Sequence, residues 1–179
     1  MKSTSTRYGS VAVTIHWLSA GFILALLASG FRAASLVDGT AKTALLSLHV
    51  PLGMIILVLT VMRILWWLIA DRKPDASTDS SALQAFTARI VHFLLYVFIL
   101  VLGGSGTAMM IQSGAGDILF GASEAALPDF QKLAPRMPHG FAARAAIALT
   151  VLHVGAALYH HFIKQDGLLW RMWYGKRIA

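Results

Sequence analysis

The sequence predicts an all-α integral membrane protein: a four-helix bundle that runs up-down-up-down, with both termini in the cytoplasm. Composition, four long apolar runs and the placement of Lys and Arg lead to this prediction. Of the 179 residues, 57% are hydrophobic and 13% are charged, against about 45–50% and about 25% in soluble domains. The mean hydropathy is +0.68. This composition excludes a soluble globule, a disordered chain and a nucleic-acid-binding protein, and it requires a lipid bilayer as the surrounding solvent.

Four apolar runs have the length of about 20 residues that a spanning helix needs. They predict spans at residues 11–31, 45–69, 90–111 and 141–162. The first run follows two cations, as a secretory leader would, but it is too long for one and contains His16, so we expect a membrane helix. Loops are predicted at 32–43, 70–89 and 112–138. Residues 1–179 therefore form a single transmembrane domain.

Lys and Arg near the ends of the spans indicate the orientation of a membrane protein, because cytoplasmic segments carry more of them. With the amino terminus inside, ten of the 15 cations are cytoplasmic. These are Lys2, Arg7, Arg63, Arg72, Lys73, Arg89, Lys164, Arg171, Lys176 and Arg177. The outer segments hold four, Arg32, Lys42, Lys132 and Arg136, and Arg144 falls inside the fourth span. Both termini are therefore expected in the cytoplasm.

The chain has no Cys, which excludes disulfides, iron–sulfur clusters and covalently attached c-type haem. It has seven His. Six of them fall within or at the edge of the spans: His16, His49, His92, His139, His153 and His160. Ionisable side chains are costly in lipid and usually face the bundle interior. Interhelical hydrogen bonding explains a single such His, but six in four spans favour a shared role in holding a cofactor.

The fourth span places two of these imidazoles on one helix face. His139 and His153 are 14 residues apart, which gives an angular offset of about 40° and an axial rise of about 21 Å. His160 stays near the same face. A helix with this pattern can present axial ligands to two stacked cofactors, one in each leaflet.

Each ligand needs a partner at the same depth on another helix. In the predicted up-down order, His49 matches His139 in the outer leaflet, and His16 matches His153 in the inner leaflet. His16 and His160 differ more in their depth in the membrane, so this pairing fits less well. His92 enters the third span from the cytoplasm, so its depth pairs best with His160.

Two imidazoles suit a low-spin haem iron, which then has no open position for oxygen chemistry. The pairs therefore predict two b-type haems that transfer electrons. Arg144 is a candidate partner for a propionate, with an interhelical hydrogen bond as the alternative. Gly21 and Gly53 would let a flat macrocycle approach the backbone, or would serve helix packing. A zinc or copper site fits less well, because the eight Asp and Glu lie outside the spans.

Several short motifs follow one another along nearly the whole chain. They are Arg7 with Ile15-His16-Trp17, Leu48-His49-Val50-Pro51-Leu52-Gly53 with Met62-Arg63, His92 with Tyr96, and His139, His153 and His160-His161 ahead of Lys164, Asp166 and Leu168-Leu169. In this order and spacing they resemble the bacterial cytochrome b561 family, four-helix di-haem proteins related to the cytochrome b subunits of nickel-iron hydrogenases. The resemblance implies a single transmembrane cytochrome b domain in the bacterial cytoplasmic (inner) membrane.

The resemblance also implies site residues and an activity. It implies that His16 with His153, and His49 with His139, ligate two haem b groups, and that His92 and His160 lie near a quinone or the propionates. Compact members of this family are superoxide:ubiquinone oxidoreductases. Hydrogenase-type relatives instead take electrons from a partner subunit, so the alternative is a cytochrome b subunit that passes electrons between a dehydrogenase or hydrogenase and the quinone pool.

For the leading hypothesis we expect superoxide to be oxidised at the outer face and ubiquinone to be reduced in the membrane. Cations would focus the superoxide anion, and the candidates are Lys42, Arg136, Arg144, Lys132 and Arg32. A quinone or proton site near the inner surface would use His92, His160, His161 and Arg89, since an imidazole titrates near neutral pH. No residue is assigned a catalytic role. A haem-free helical scaffold is the third hypothesis.

Overall fold

A computed structural model describes residues 2–37, 39–75, 81–121, 123 and 125–174. These residues form helices and contain no β-strand. Four helices are long and apolar enough to cross a membrane: Ser10–Ser35, Thr40–Ala70, Ala82–Ser113 and Arg136–Lys164. The predicted fold class, an all-α protein with four spanning helices, is confirmed.

The helices are numbered along the chain. They are α1 (Ser10–Ser35), α2 (Thr40–Leu65), α3 (Ala82–Ser113), the short α4 (Ala115–Leu119) and α5 (Arg136–Tyr159). Two π-helical turns, Trp66–Ala70 and His160–Lys164, continue α2 and α5, and 3-10 turns lie at Phe130–Lys132 and Leu169–Met172. The long helices pack in the pairs α1 with α2, α2 with α3, and α3 with α5.

The helices extend beyond the predicted spans, most clearly in α3. It begins at Ala82, eight residues before the predicted start at 90. Ser81 and Gln84 form a capping box there: the Gln84 amide donates to Ser81 Oγ at 3.2 Å, and the Ser81 amide donates to Gln84 Oε1 at 3.0 Å. At the other end Gly114, with φ 64°, closes the helix. The predicted 70–89 and 112–138 loops were therefore too long, because hydropathy measures only the part of a helix that lies in hydrocarbon.

The first and last described segments of the chain meet at one end of the bundle, which we call the termini end (residues 2–9, 71–75 and 165–174). The indole of Trp17 donates to the carbonyl of Met172 at 2.8 Å, and the Tyr8 amide donates to the carbonyl of Arg171 at 3.2 Å. Arg171 Nε donates to the carbonyl of Thr6 at 2.8 Å. Because both termini lie at one end, the chain crosses the bundle an even number of times.

Small residues dominate the buried core. Ala12, Ala33, Ala142 and Ala146 are at most 3% exposed, and Val13 is 1% exposed. The bundle therefore leaves room between its helices for something other than its own aliphatic side chains.

The contact between α2 and α3 depends on a glycine. A Cβ built on Gly103 would lie 2.7 Å from Leu57 Cδ1 and 3.0 Å from Leu57 Cβ. We expect Gly103→Ala to lower the free energy of unfolding by about 1 to 3 kcal/mol through overpacking. Thermal unfolding in detergent measures this loss.

The neighbouring glycine provides a matched control. A Cβ on Gly104 would meet no atom within 4 Å among the residues that the structure describes. Gly104→Ala is therefore expected to leave the unfolding temperature unchanged or to raise it. Equal destabilisation by both variants would contradict the proposed packing.

Candidate functional site

Four of the histidines form two facing pairs. The ring centroids of His49 on α2 and His139 on α5 are 6.4 Å apart, and those of His16 on α1 and His153 on α5 are 6.2 Å apart. These are the pairs that the depth argument selects. Since α5 carries one member of each pair, the two pairs lie at different depths along this helix.

The spacing within each pair matches that of two imidazoles bound to opposite sides of one metal ion. A metal–imidazole bond of about 2.0 to 2.1 Å, with the ring centre about 1.1 Å beyond the nitrogen, separates the two ring centres by about 6.3 Å. The observed 6.4 and 6.2 Å lie on either side of this value. Both pairs therefore fit the axial coordination of a haem iron.

Each ring of the outer pair has a serine hydroxyl at Nδ1. Ser29 Oγ lies 2.9 Å from His49 Nδ1, and Ser105 Oγ lies 3.0 Å from His139 Nδ1. Carbonyls of the same helix also lie within reach of each hydroxyl: that of Leu26 for Ser29, and those of Val101 and Leu102 for Ser105. A hydroxyl that donates its one hydrogen to such a carbonyl accepts from Nδ1–H of the imidazole. In that tautomer, Nε2 of both rings is the nitrogen available to a metal.

A cavity of about 420 Å³ surrounds the outer pair. Residues of α1, α2, α3 and α5 line it, and most are apolar. Gly53 is one of them, and a Cβ there would meet no described atom within 4 Å. Gly21 has the same free space but is not part of this lining. The volume and the apolar walls are typical of a cofactor site.

Three cations belong to the lining of this cavity. Lys42, Arg136 and Arg144 belong to its lining, which includes no carboxylate among the described residues. A Cβ on Gly140 would lie 2.9 Å from a terminal nitrogen of Arg136 and 3.4 Å from one of Arg144, so the two guanidinium groups approach each other. Arg144 also donates to the carbonyl of Gly140 at 3.0 Å. Adjacent guanidinium groups of this kind fit an anion such as a propionate.

The other two predicted outer cations lie outside this lining. Lys132 forms an exposed ion pair with Asp129 at 3.4 Å, and Arg32 is exposed in the last turn of α1. An exposed ion pair contributes little to a local field. Of the five predicted outer cations, the cavity lining therefore holds Lys42, Arg136 and Arg144.

The inner pair has a third imidazole beside it. The His92 ring lies 5.0 Å from that of His153, centroid to centroid, whereas its sequence depth had matched it with His160. His92 Nδ1–H donates to the carbonyl of Ala88 at 2.6 Å. A separation of 5.0 Å is too short for a metal ion bound between two rings, so the geometry favours His16 as the partner of His153.

Arg63 lies against the inner pair. The topology prediction had assigned it to the cytoplasmic cations. Its terminal nitrogens lie 3.3 and 3.4 Å from His16 Nδ1, and its guanidinium lies 5.9 Å from the centre of the Tyr96 ring. Arg63 Nε is buried and has no hydrogen-bond partner among the described residues. A half-buried guanidinium with an unsatisfied donor fits an anionic group such as a haem propionate.

His160 and Asp166 form a buried pair near the termini end. His160 Nδ1 and Asp166 Oδ2 are hydrogen-bonded, with side chains 11% and 4% exposed. The Leu168 amide donates to Asp166 Oδ1 at 3.0 Å. Burial raises the pKa of Asp166, but the hydrogen bonds from His160 and Leu168 outweigh it and lower this pKa below its ordinary value.

The residues predicted for the quinone or proton site occupy different places. His92 lies beside His153, His160 is paired with Asp166, and His161 packs against Trp170 with ring centroids 5.8 Å apart. Arg89 is exposed and donates to the carbonyl of Ala85 on its own helix.

Sequence reasoning gave no role to three residues that contact these histidines. Ser29, Ser105 and Arg63 lie 20, 34 and 47 residues from the imidazoles that they contact. A serine in a membrane helix carries no signal of such a contact. Arg63 lies inside the predicted 45–69 span and entered the sequence argument only as a topology charge and as part of the Met62-Arg63 motif.

Known proteins are similar to this chain over nearly its whole length. Residues 7–175 match the family described as prokaryotic cytochrome b561. Cytochrome b561 homolog 2 of Escherichia coli K12 is 31% identical over 95% of this chain and 93% of its own length. A probable superoxide oxidase of Yersinia pestis is 28% identical over 96% and 98%. Cytochrome b562 of Cereibacter sphaeroides is 28% identical over 92% and 94%.

The buried pair gives a pH-dependent prediction. Asp166→Asn is expected to lower the free energy of unfolding at pH 7 by about 1.5 to 3 kcal/mol, because a hydrogen bond to a charged group is lost. The folded protein depresses the pKa of Asp166, so its contribution is complete above the ordinary value of 3.8 and is lost as pH falls through the lower folded value. Thermal unfolding between pH 7 and pH 3 measures the difference.

Asp129→Asn serves as the control, since Asp129 is 53% exposed and pairs with an exposed lysine. It also accepts from the Gln131 amide at 3.1 Å, and asparagine keeps an oxygen that can accept this bond. We expect a change below about 1 kcal/mol for this variant. Equal unfolding temperatures for the Asp166→Asn variant and the unmodified protein at pH 7 would contradict the pairing.

Proposed function

From the premise that this chain belongs to the prokaryotic cytochrome b561 family, haem b proteins of membrane electron transfer, we propose that it is a di-haem superoxide:ubiquinone oxidoreductase of the bacterial inner membrane. The match over residues 7–175 confirms the family resemblance. The observation that carries the proposal is the pair of imidazole separations, 6.4 and 6.2 Å, at two depths of α5.

His49 with His139 would hold the outer haem, and His16 with His153 the inner haem. The two haem b groups, when bound, supply reversible one-electron transfer across the bilayer. With two imidazoles holding each haem, the site would favour transfer of electrons over binding of oxygen. Arg63 beside His16, and Arg136 with Arg144 beside the outer pair, are placed to neutralise carboxylates.

The outer cavity supports superoxide as the electron donor. Superoxide is a small anion, and the three cations of the cavity lining, Lys42, Arg136 and Arg144, would raise its local concentration. The probable superoxide oxidase of Yersinia pestis, 28% identical over nearly its whole length, supports the same donor. Each superoxide anion gives up one electron and leaves as dioxygen.

The inner side supports quinone reduction, which takes two electrons and two protons. His160 is held by Asp166 through Nδ1, so its Nε2 is the nitrogen that can exchange a proton. His92 is held in the same way by the carbonyl of Ala88. Both would deliver protons to the quinone oxygens near the termini end.

The excess of Lys and Arg in cytoplasmic segments of membrane proteins predicts which end of the bundle faces the cytoplasm. The termini end carries Arg7, Arg72, Lys73 and Arg171, and we propose that it faces the cytoplasm. The cavity around His49 and His139 then faces the periplasm, where superoxide would arrive.

The ligand assignment predicts haem content. His49→Ala or His139→Ala is expected to remove one of two haems per chain and leave the other, while His92→Ala is expected to keep both. Pyridine haemochrome assays on the purified variants count the haems. Loss of a haem from His92→Ala, with full content in His16→Ala, would overturn the inner assignment. Unmodified protein without a split b-type α-band on reduction would support the haem-free scaffold.

The donor assignment predicts kinetics. Stopped-flow mixing with superoxide is expected to reduce the haems within milliseconds, and the rate is expected to fall as ionic strength rises. The double variant Arg136→Gln with Arg144→Gln should react more slowly and with a weaker salt dependence. Lys132→Gln is the control, because Lys132 is paired with Asp129 outside the cavity. Haems that dithionite reduces but superoxide does not would favour the electron-transfer subunit with a protein donor.

A further inference from the structure

A serine followed by a glycine occurs at the same kind of position on two helices. Ser29-Gly30 lies on α1 and faces His49, while Ser105-Gly106 lies on α3 and faces His139. The serine oxygens are 2.9 and 3.0 Å from the Nδ1 atoms of these rings. Each imidazole of the outer pair therefore contacts a Ser-Gly pair, and the two pairs come from two different helices.

The glycines support the edges of the same rings. A Cβ built on Gly30 would lie 3.0 Å from His49 Cε1, and one built on Gly106 would lie 3.4 Å from His139 Cε1. A Cβ at Gly30 would thus be closer to the ring than ordinary van der Waals contact, and one at Gly106 would just reach that contact. Hydroxyl and glycine together limit the position of each ring.

The inner pair has a different environment. His16 Nδ1 faces the guanidinium of Arg63 at 3.3 and 3.4 Å, where the outer rings face hydroxyl oxygens. A hydroxyl that accepts from Nδ1–H increases the electron donation of the imidazole to a metal. A nearby cation acts in the opposite direction, because it favours the form of the metal with the lower positive charge.

We propose that Ser29 and Ser105 are positioning residues that lower the reduction potential of the outer haem. This inference rests on the proposed function. Stronger donation from His49 and His139 would stabilise the ferric state of the outer iron. It would offset part of the positive field of Lys42, Arg136 and Arg144, which favours the ferrous state.

Redox titration of the haem absorption bands tests the inference. Ser29→Ala and Ser105→Ala remove the acceptors while keeping small side chains, and each is expected to shift one midpoint potential in the positive direction. The double variant is expected to shift the same potential further. The second potential should stay where it is in the unmodified protein.

Ser47→Ala is the matched control, since Ser47 lies on α2 near His49 in sequence and its hydroxyl donates to the carbonyl of Ala44. It should move neither potential. Two bound haems with unchanged potentials in the double variant would overturn the inference and leave the proposed function intact. Fewer than two haems in the unmodified protein would instead overturn the proposed function.

A spectroscopic measurement distinguishes a change in the position of a haem ligand from a general loss of structure. Low-temperature electron paramagnetic resonance of the oxidised protein reports the orientation of the axial imidazoles. Gly30→Ala is expected to change one low-spin signal, because the added Cβ would press on His49 Cε1 at 3.0 Å. Gly21→Ala, with no described atom within 4 Å of the added Cβ, is expected to change neither signal. Identical spectra from both variants would contradict the support of His49 by Gly30.

Discussion

The separation between facing imidazoles is the constraint on which the rest of the structure depends. A polar ring in a membrane helix needs a partner inside the bundle, and here four rings face each other in pairs at 6.4 and 6.2 Å. Because α5 carries His139 and His153, it determines the distance between the two pairs. The small buried residues of the core keep the helices close enough for the rings to meet and leave the space that a flat cofactor requires.

The two ends of the bundle differ in the chemistry around these rings. At the outer pair, hydroxyls hold the imidazoles and three cations line an apolar cavity. Toward the termini end, Arg63 faces His16, and the buried His160 is held by Asp166. Under the proposed function, the cavity would attract an anion and the imidazoles toward the termini end would supply protons. This difference would give electron transfer a direction that the near symmetry of the histidine pairs alone does not provide.

The sequence was sufficient for the fold class and for the pairs His49 with His139 and His16 with His153, because both follow from simple geometry, but it matched His92 with His160 and not with its neighbour His153. Apolar length predicts spans, and 14 residues on a helix return His153 to the face of His139. The helix ends were not predictable in this way, since the capping box of Ser81 and Gln84 lies in a polar segment. The contacts of Ser29, Ser105 and Arg63 could not be predicted from the sequence either, because they depend on how neighbouring helices rotate and pack.

Anomalous diffraction at the iron edge from crystals of the haem-loaded protein tests the central claim most directly. The account predicts two iron peaks per chain, one between His49 and His139, bonded through Nε2 of both rings, and one between His16 and His153. A single peak, or an iron bound by His92 or His160 in place of these ligands, would contradict it.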